Sequence, residues 1–157
     1  MSVTQVSTDL TMNDNVPFCV HHITDDTRTE PFFAIIFSTK RLLQTESKTK
    51  PLAVDKAYKF FFENYPVMLV DQSDSDRKFH SIAVGISTNS TQEVGEIFFR
   101  ALLREVPDLH PTAYFGDAAE AFANAARAVW PGLNRLMCSA HVYKVKSYNV
   151  KRVASPR

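Results

Sequence analysis

Apolar residues come in short runs through roughly the first 90 positions of this chain and in helical stripes after that. Runs at 17–24 and 31–38 flank the polar stretch Asp25-Asp-Thr-Arg-Thr-Glu, the pattern of a hairpin with a long turn. Thr39-Lys-Arg-Leu-Leu-Gln reads as one short helical turn, and 47–50 as a polar link. Three further runs follow at 52–60, 65–71 and 78–87. Their short connections imply antiparallel neighbours, and the nearly all-apolar middle run implies burial on both faces. Ser90 and Glu93 stand at capping-box spacing, so a helix is expected to start near Ser90. Val94, Ile97, Phe98, Ala101 and Leu102 then form one apolar stripe, which Pro107 and Pro111 end. A short strand at 112–116, an alanine-rich helix at 118–129 stopped before Pro131, and a strand at 133–138 complete the pattern. The remainder reads as a basic helix or tail, and residues 1–15, which are polar, as loose chain. The fold class expected from this order is α/β, a mixed sheet of three antiparallel strands followed by helix-linked parallel ones.

Composition changes this picture little. At 157 residues, with 45% hydrophobic and 22% charged, the chain fits one domain with a real core and is not globally disordered. Charge is more telling in its distribution than in its net +1. From Ala121 onward there are seven basic residues and no acid, which leaves the first 120 positions at −6. An acidic body with a basic end favours a polyanionic partner such as nucleic acid; a solvated, frayed terminus accounts for the same charges. Two distant cysteines, Cys19 and Cys138, give no disulfide framework and suit a reducing compartment. No signal peptide and no run approaching a membrane span are evident, so an intracellular, soluble protein without a membrane partner is expected.

Candidate chemistry gathers at two aspartates, Asp55 and Asp117, each closing a short apolar run. A carboxylate at a strand's C-terminal end can face the crevice where crossovers diverge. Two such carboxylates from neighbouring strands share a proton or recruit a hard cation. Plainer accounts stand beside this one. Asp117 can be a helix N-cap, with Glu120 three residues on, and Asp55 an edge-strand charge. Cys138 and His141 have the spacing of half a zinc site, but His21, His22, His80 and His110 supply no second half. A buried cysteine beside a capping or surface histidine explains them as well. With four glycines the chain has no phosphate-cradling loop, and no Gly-x-Ser-x-Gly elbow occurs.

The chain resembles the catalytic domain of Mutator-like element (MULE) transposases, in the RNase H-like DDE recombinase superfamily. Phe37-Ser-Thr-Lys-Arg-Leu-Leu resembles the family's lead-in, and Asp55-Lys-Ala-Tyr-Lys its Asp-Ala-Thr-Tyr-Lys. Tyr65-Pro-Val-Met-Leu-Val, Asp76-Arg-Lys-Phe-His and residues 83–89 are similar to the next two strands and their exit. Gly116-Asp-Ala-Ala-Glu-Ala-Phe resembles the second-aspartate segment, and Leu136-Met-Cys-Ser-Ala-His the Cys-x-x-His segment. The resemblance implies an RNase H-like sheet over 35–145, with 1–34 as a polar segment and hairpin and 146–157 as a basic tail. It implies Asp55 and Asp117 as catalytic, metal-binding acids, Mg2+ or Mn2+ as cofactor, DNA as partner, DNA strand cleavage and transfer as activity, and a nuclear location. Cys138 and His141 would belong to the characteristic Cys-x-x-His.

The departures shape the expectation as much as the matches. Lys56 places a cation next to the proposed site, Ala57 removes a hydroxyl, and Ser90 stands where the family often has glutamate. The third acid normally lies well beyond the Cys-x-x-His, yet no Asp or Glu follows Glu120. The expectation is therefore a C-terminally truncated, transposase-derived domain that binds metal weakly and is inactive alone, unless a partner chain or oligomer supplies the missing elements. The alternatives are a non-enzymatic module that binds nucleic acid or protein, and a non-functional transposon fragment with one sheet face uncovered.

Overall fold

The short apolar runs do give strands, and they join in one sheet. In a computed structural model, residues 2–4, 13–45, 50–57, 64–73, 76, 78–116 and 120–137 are described. The strands are β1 (Ser2–Thr4), β2 (Phe18–Asp25), β3 (Phe32–Ser38), β4 (Leu52–Ala57), β5 (Val67–Ser73), β6 (Phe79–Ser87), β7 (Ala113–Gly116) and β8 (Asn134–Met137). The helices are α1 (Lys40–Thr45), α2 (Gln92–Glu105) and α3 (Glu120–Val129). The order across the sheet is β1-β2-β3-β6-β5-β4-β7-β8. Pairings from β1 to β4 are antiparallel, whereas β4–β7 and β7–β8 are parallel and follow α2 and α3. The expected mixed α/β sheet is thus present, and the 17–38 hairpin is part of it, adding β3 to the edge of β6.

Several expected boundaries move, each for a local reason. Ser2–Thr4 pair with His22–Thr24 of β2, so these residues of the N-terminal segment are strand rather than loose chain; the edge of β2 offers backbone groups that need partners. β5 begins at Val67, because Pro66 has no amide to give a ladder, and runs on through Gln72 and Ser73 opposite Leu52 and Phe79. The cap of α2 is Thr91, not Ser90. Its hydroxyl accepts from the Val94 amide at 3.5 Å and donates to Asn89 Oδ1 at 3.0 Å.

The core lies between one face of the sheet and the helices. Leu52, Val54, Met68, Val70, Ala34 and Ile36 supply the sheet side, and Val94, Phe98, Ala101 and Leu102 the α2 side. The single stripe missed Phe99, which is also fully buried because α2 packs against α3 as well as the sheet. Its ring lies 5.4 Å from Trp130, 6.1 Å from Phe122 and 6.4 Å from Tyr114, centroid to centroid. The Trp130 indole donates to Leu109 O at 2.9 Å, closing the loop between α2 and β7 onto the end of α3.

Two core positions carry testable constraints. Phe98 occupies the space above Gly85, where an added Cβ would lie 1.6 Å from its ring. Gly85→Ala should lower stability in denaturant unfolding by about 2 kcal/mol, and Phe98→Leu in the same chain should lessen that penalty. Gln72 is fully buried beside Leu43, Ile82, Leu102 and Leu109, with no hydrogen bond at either amide atom. Gln72→Leu should raise the unfolding free energy by about 1 kcal/mol, since an unpaired buried amide opposes folding; a lowered value in denaturant unfolding would show that the amide is satisfied.

Candidate functional site

Asp55 sits in the second half of β4, and the pleat decides where it looks. Leu52 and Val54 point into the core, so Ala53 and Asp55 take the opposite face, where Asp55 is exposed opposite Leu69 of β5. On its other side β4 runs parallel to β7, with Val54 beside Gly116. The carboxyl ends of the two strands therefore lie side by side, the ligand position of open α/β sheets. Asp55 Oδ1 accepts from the Lys56 amide at 2.9 Å. Its donor chemistry, a solvent-facing carboxylate on a rigid strand, fits a hard divalent cation. Asp117, the next residue in sequence after Gly116, lies outside the described residues, as do Cys138 and His141.

Lys56 does not crowd Asp55. Alternation sends it to the helix face, where its Nζ lies 5.0 Å from the centroid of the Phe122 ring on α3. The expected cation beside the site is thus on the far side of the sheet from the Asp55 carboxylate. Glu120, the other acid near the second aspartate, is tied to Arg135 of β8 and lies 3.9 Å from Arg127.

A second carboxylate shares Asp55's face. Asp71 pairs across β4 with Ala53, two positions before Asp55, and accepts from the Ser81 hydroxyl at 2.6 Å. Burial alternates along 67–73, but the run of four apolar residues at 67–70 carries no such alternation in sequence, so the reading of it as buried on both faces conceals the free face of Asp71. Among the described residues no three His, Cys, Asp or Glu side chains cluster as a metal site.

Sequence spacing also missed an ion-pair network at the far end of the sheet. Arg28, in the turn between β2 and β3, donates to Asp25 at 3.0 Å and makes a two-bond fork with Glu93 at the start of α2. Glu93 therefore anchors the hairpin instead of completing a capping box. Hydrogen bonds from the Thr27 hydroxyl first, then from Arg28, hold the Asp25 carboxyl down to about 2. The fork from Arg28 lowers Glu93 below the usual carboxylate range.

A model of the MULE transposase domain matches residues 51–145, the span from just before β4 to beyond β8. No curated protein matches the chain at a significant level. The match begins after the lead-in segment at Phe37 and includes Asp55, Asp117, Cys138 and His141.

The Arg28 network predicts a pH dependence. Both carboxylates have lowered folded values, so their contribution is complete above the ordinary carboxylate range and is lost as pH falls through those lowered values, about 2 for Asp25. In a carboxyl NMR titration, Arg28→Ala should raise Glu93 toward the ordinary carboxylate range, because the fork is the main cause of its lowering. Asp25 should rise only part of the way, because Thr27 still donates. An unmoved Glu93 would show that the fork does not form in solution.

Proposed function

This chain belongs to the MULE transposase domain family, whose model covers more than half of it, and from that membership we propose a specific reading of its transposase-related function. The domain is RNase H-like, works on DNA, and descends from the strand-cleaving and strand-transferring core of a transposase. The strand order β6-β5-β4-β7-β8 supports the fold, with β4 flanked by one antiparallel and one parallel neighbour and helices leading into β7 and β8. The observation that carries the site is the parallel pairing of β4 with β7, with Asp55 one residue past Val54 and Asp117 one past Gly116 in sequence.

In this reading Asp55 and Asp117 hold Mg2+ or Mn2+. Such an ion, when bound, supplies activation of a water or hydroxyl and stabilisation of the leaving oxygen in phosphodiester cleavage. Asp55 presents its carboxylate from a strand fixed on both sides, and Lys56 keeps its charge on the other face. Cys138 and His141 form the family's Cys-x-x-His in this assignment, and the protein acts in the nucleus, where its DNA partner is. In this reading 35–145 is the transposase-like unit, whose sheet β1 and β2 of the preceding segment extend, and 146–157 is a basic extension.

No aspartate or glutamate follows Glu120, so the third acid of the family's site is not supplied by these later residues. These 157 residues on their own then bind metal weakly and do not cut DNA. Incubation of the purified protein with supercoiled plasmid and Mg2+ or Mn2+ should leave the plasmid intact. Cleavage that disappears with Asp117→Asn would overturn the proposed incompetence. Mn2+ binding followed by water-proton relaxation should weaken about tenfold or more in Asp55→Asn, since one of few charged ligands is lost. Affinity unchanged in both Asn variants would sink the metal site itself.

A further inference from the structure

The two ends of α2 are tied to the β2–β3 hairpin by different chemistry. At its first turn Glu93 takes the fork from Arg28. At its last turn Arg104 reaches a bulge in β2. Cys19 pairs with Phe37 and His21 with Ile36, which leaves Val20 as the extra residue. Ile36 is in the core, so His21 opposite it shares the helix side of the sheet with the buried Val20. Arg104 Nη2 donates to the Val20 carbonyl at 3.4 Å and meets His21 Nδ1 at 3.3 Å. A guanidinium has no acceptor, so Nδ1 receives that bond and His21 is neutral in the contact. A proton on Nδ1 would replace the bond with two facing cations.

We propose that His21 and Arg104 form an acid-released latch. Protonation of His21 frees the last turn of α2 from the β2 bulge, while Arg28 still holds the first turn to the hairpin. The surroundings favour release. On α2, Glu105 lies 3.8 Å from Arg104 Nε, and Arg100, one turn back, is paired with Glu96. β2 adds His22, β3 places the apolar Ile36 opposite His21, and β1 places Thr4 beside His22. Burial first, then the charges of Arg104 and His22, push the His21 pKa below its ordinary value. A histidine lowered in the folded state contributes fully above its unfolded value and loses that contribution as pH falls through the folded one. The Arg28 clamp outlasts it, because its carboxylates stay ionised to lower pH, about 2 for Asp25. Mild acid thus turns α2 from a helix held to the hairpin at both ends into one held at its first turn only. β2 and β3 precede the matched residues 51–145, and neither His21 nor Arg104 belongs to the proposed metal site, so the latch goes beyond that function.

Amide hydrogen exchange on the full chain tests the latch. After correction for intrinsic exchange, amides of 19–23 and 102–106 should lose protection about threefold or more between about pH 7.5 and about pH 5.5, whereas those of 32–35 and 95–98 keep theirs. His21→Asn, whose amide oxygen can accept from Arg104 where Nδ1 does, should remove that pH dependence. In an imidazole NMR titration, Arg104→Gln should move His21 up toward the ordinary histidine range, since a nearby positive charge is gone. Undiminished protection of the wild-type chain at the lower pH would overturn the proposal, as would equal losses at both ends of α2. A pH dependence that survives in His21→Asn would also overturn it and assign the effect to another group. An unmoved His21 titration in Arg104→Gln would show that the two side chains do not meet in solution.

Discussion

Two adjacent phenylalanines on α2 hold the architecture together by pointing different ways. Phe98 enters the sheet at Gly85 of β6, a close approach that any side chain at that position would obstruct. Phe99 turns to α3 and meets Tyr114, Phe122 and Trp130 edge-on or tilted. One ring fixes α2 on the antiparallel half of the sheet, and the other fixes α3 and β7 against α2. The helix layer is thinned to allow this, with Gly95 of α2 close enough to α3 that an added Cβ would lie 2.7 Å from the Ala125 methyl. The parallel placement of β7 beside β4, and with it the setting of Asp55, depends on both contacts.

The Asp55 setting shows how a pleated strand sorts neighbouring charges. Asp55 and Lys56 are consecutive, yet one faces solvent on the free side of the sheet and the other lies over an aromatic ring on the helix side. A sequence comparison sees Lys56 as an intrusion beside the acid. In three dimensions a like-faced charge among the described residues is Asp71, 16 positions from Asp55 in sequence but opposite Ala53 on the neighbouring strand.

Much of the fold was legible because its signals are local. The hairpin, the three-strand meander and both long helices follow from short apolar runs with short polar connections, helical periodicity and proline stops, and each is present. What escaped was set by contacts between distant segments. Phe99 lies off the stripe that a single sheet-facing side predicts, and is buried by a second helix. Glu93 has capping-box spacing from Ser90, but Arg28, 65 positions earlier, draws it away, and Thr91 caps in its place. Of the candidate site, Asp55 was legible as a strand acid and its exposed face agrees with that reading; Asp117, Cys138 and His141 fall outside the described residues.

β4 divides the sheet into two kinds of pairing, and that division bears on how the chain acquires its fold. On the β5 side its partner is the next strand, and β5 in turn pairs with β6, so the ladder from 52 to 87 closes only short loops. On the β7 side Val54 meets Gly116, 62 positions along the chain, and α2 must be in place for that strand to arrive. Loop-closure entropy falls on the second event. The meander is therefore the part suited to form first as a template, with β7 and β8 added afterwards; the edge of β4 that will receive β7 stands open in the interval. The strand that carries Asp55 is thus both an interior strand of the finished sheet and the exposed margin of its precursor.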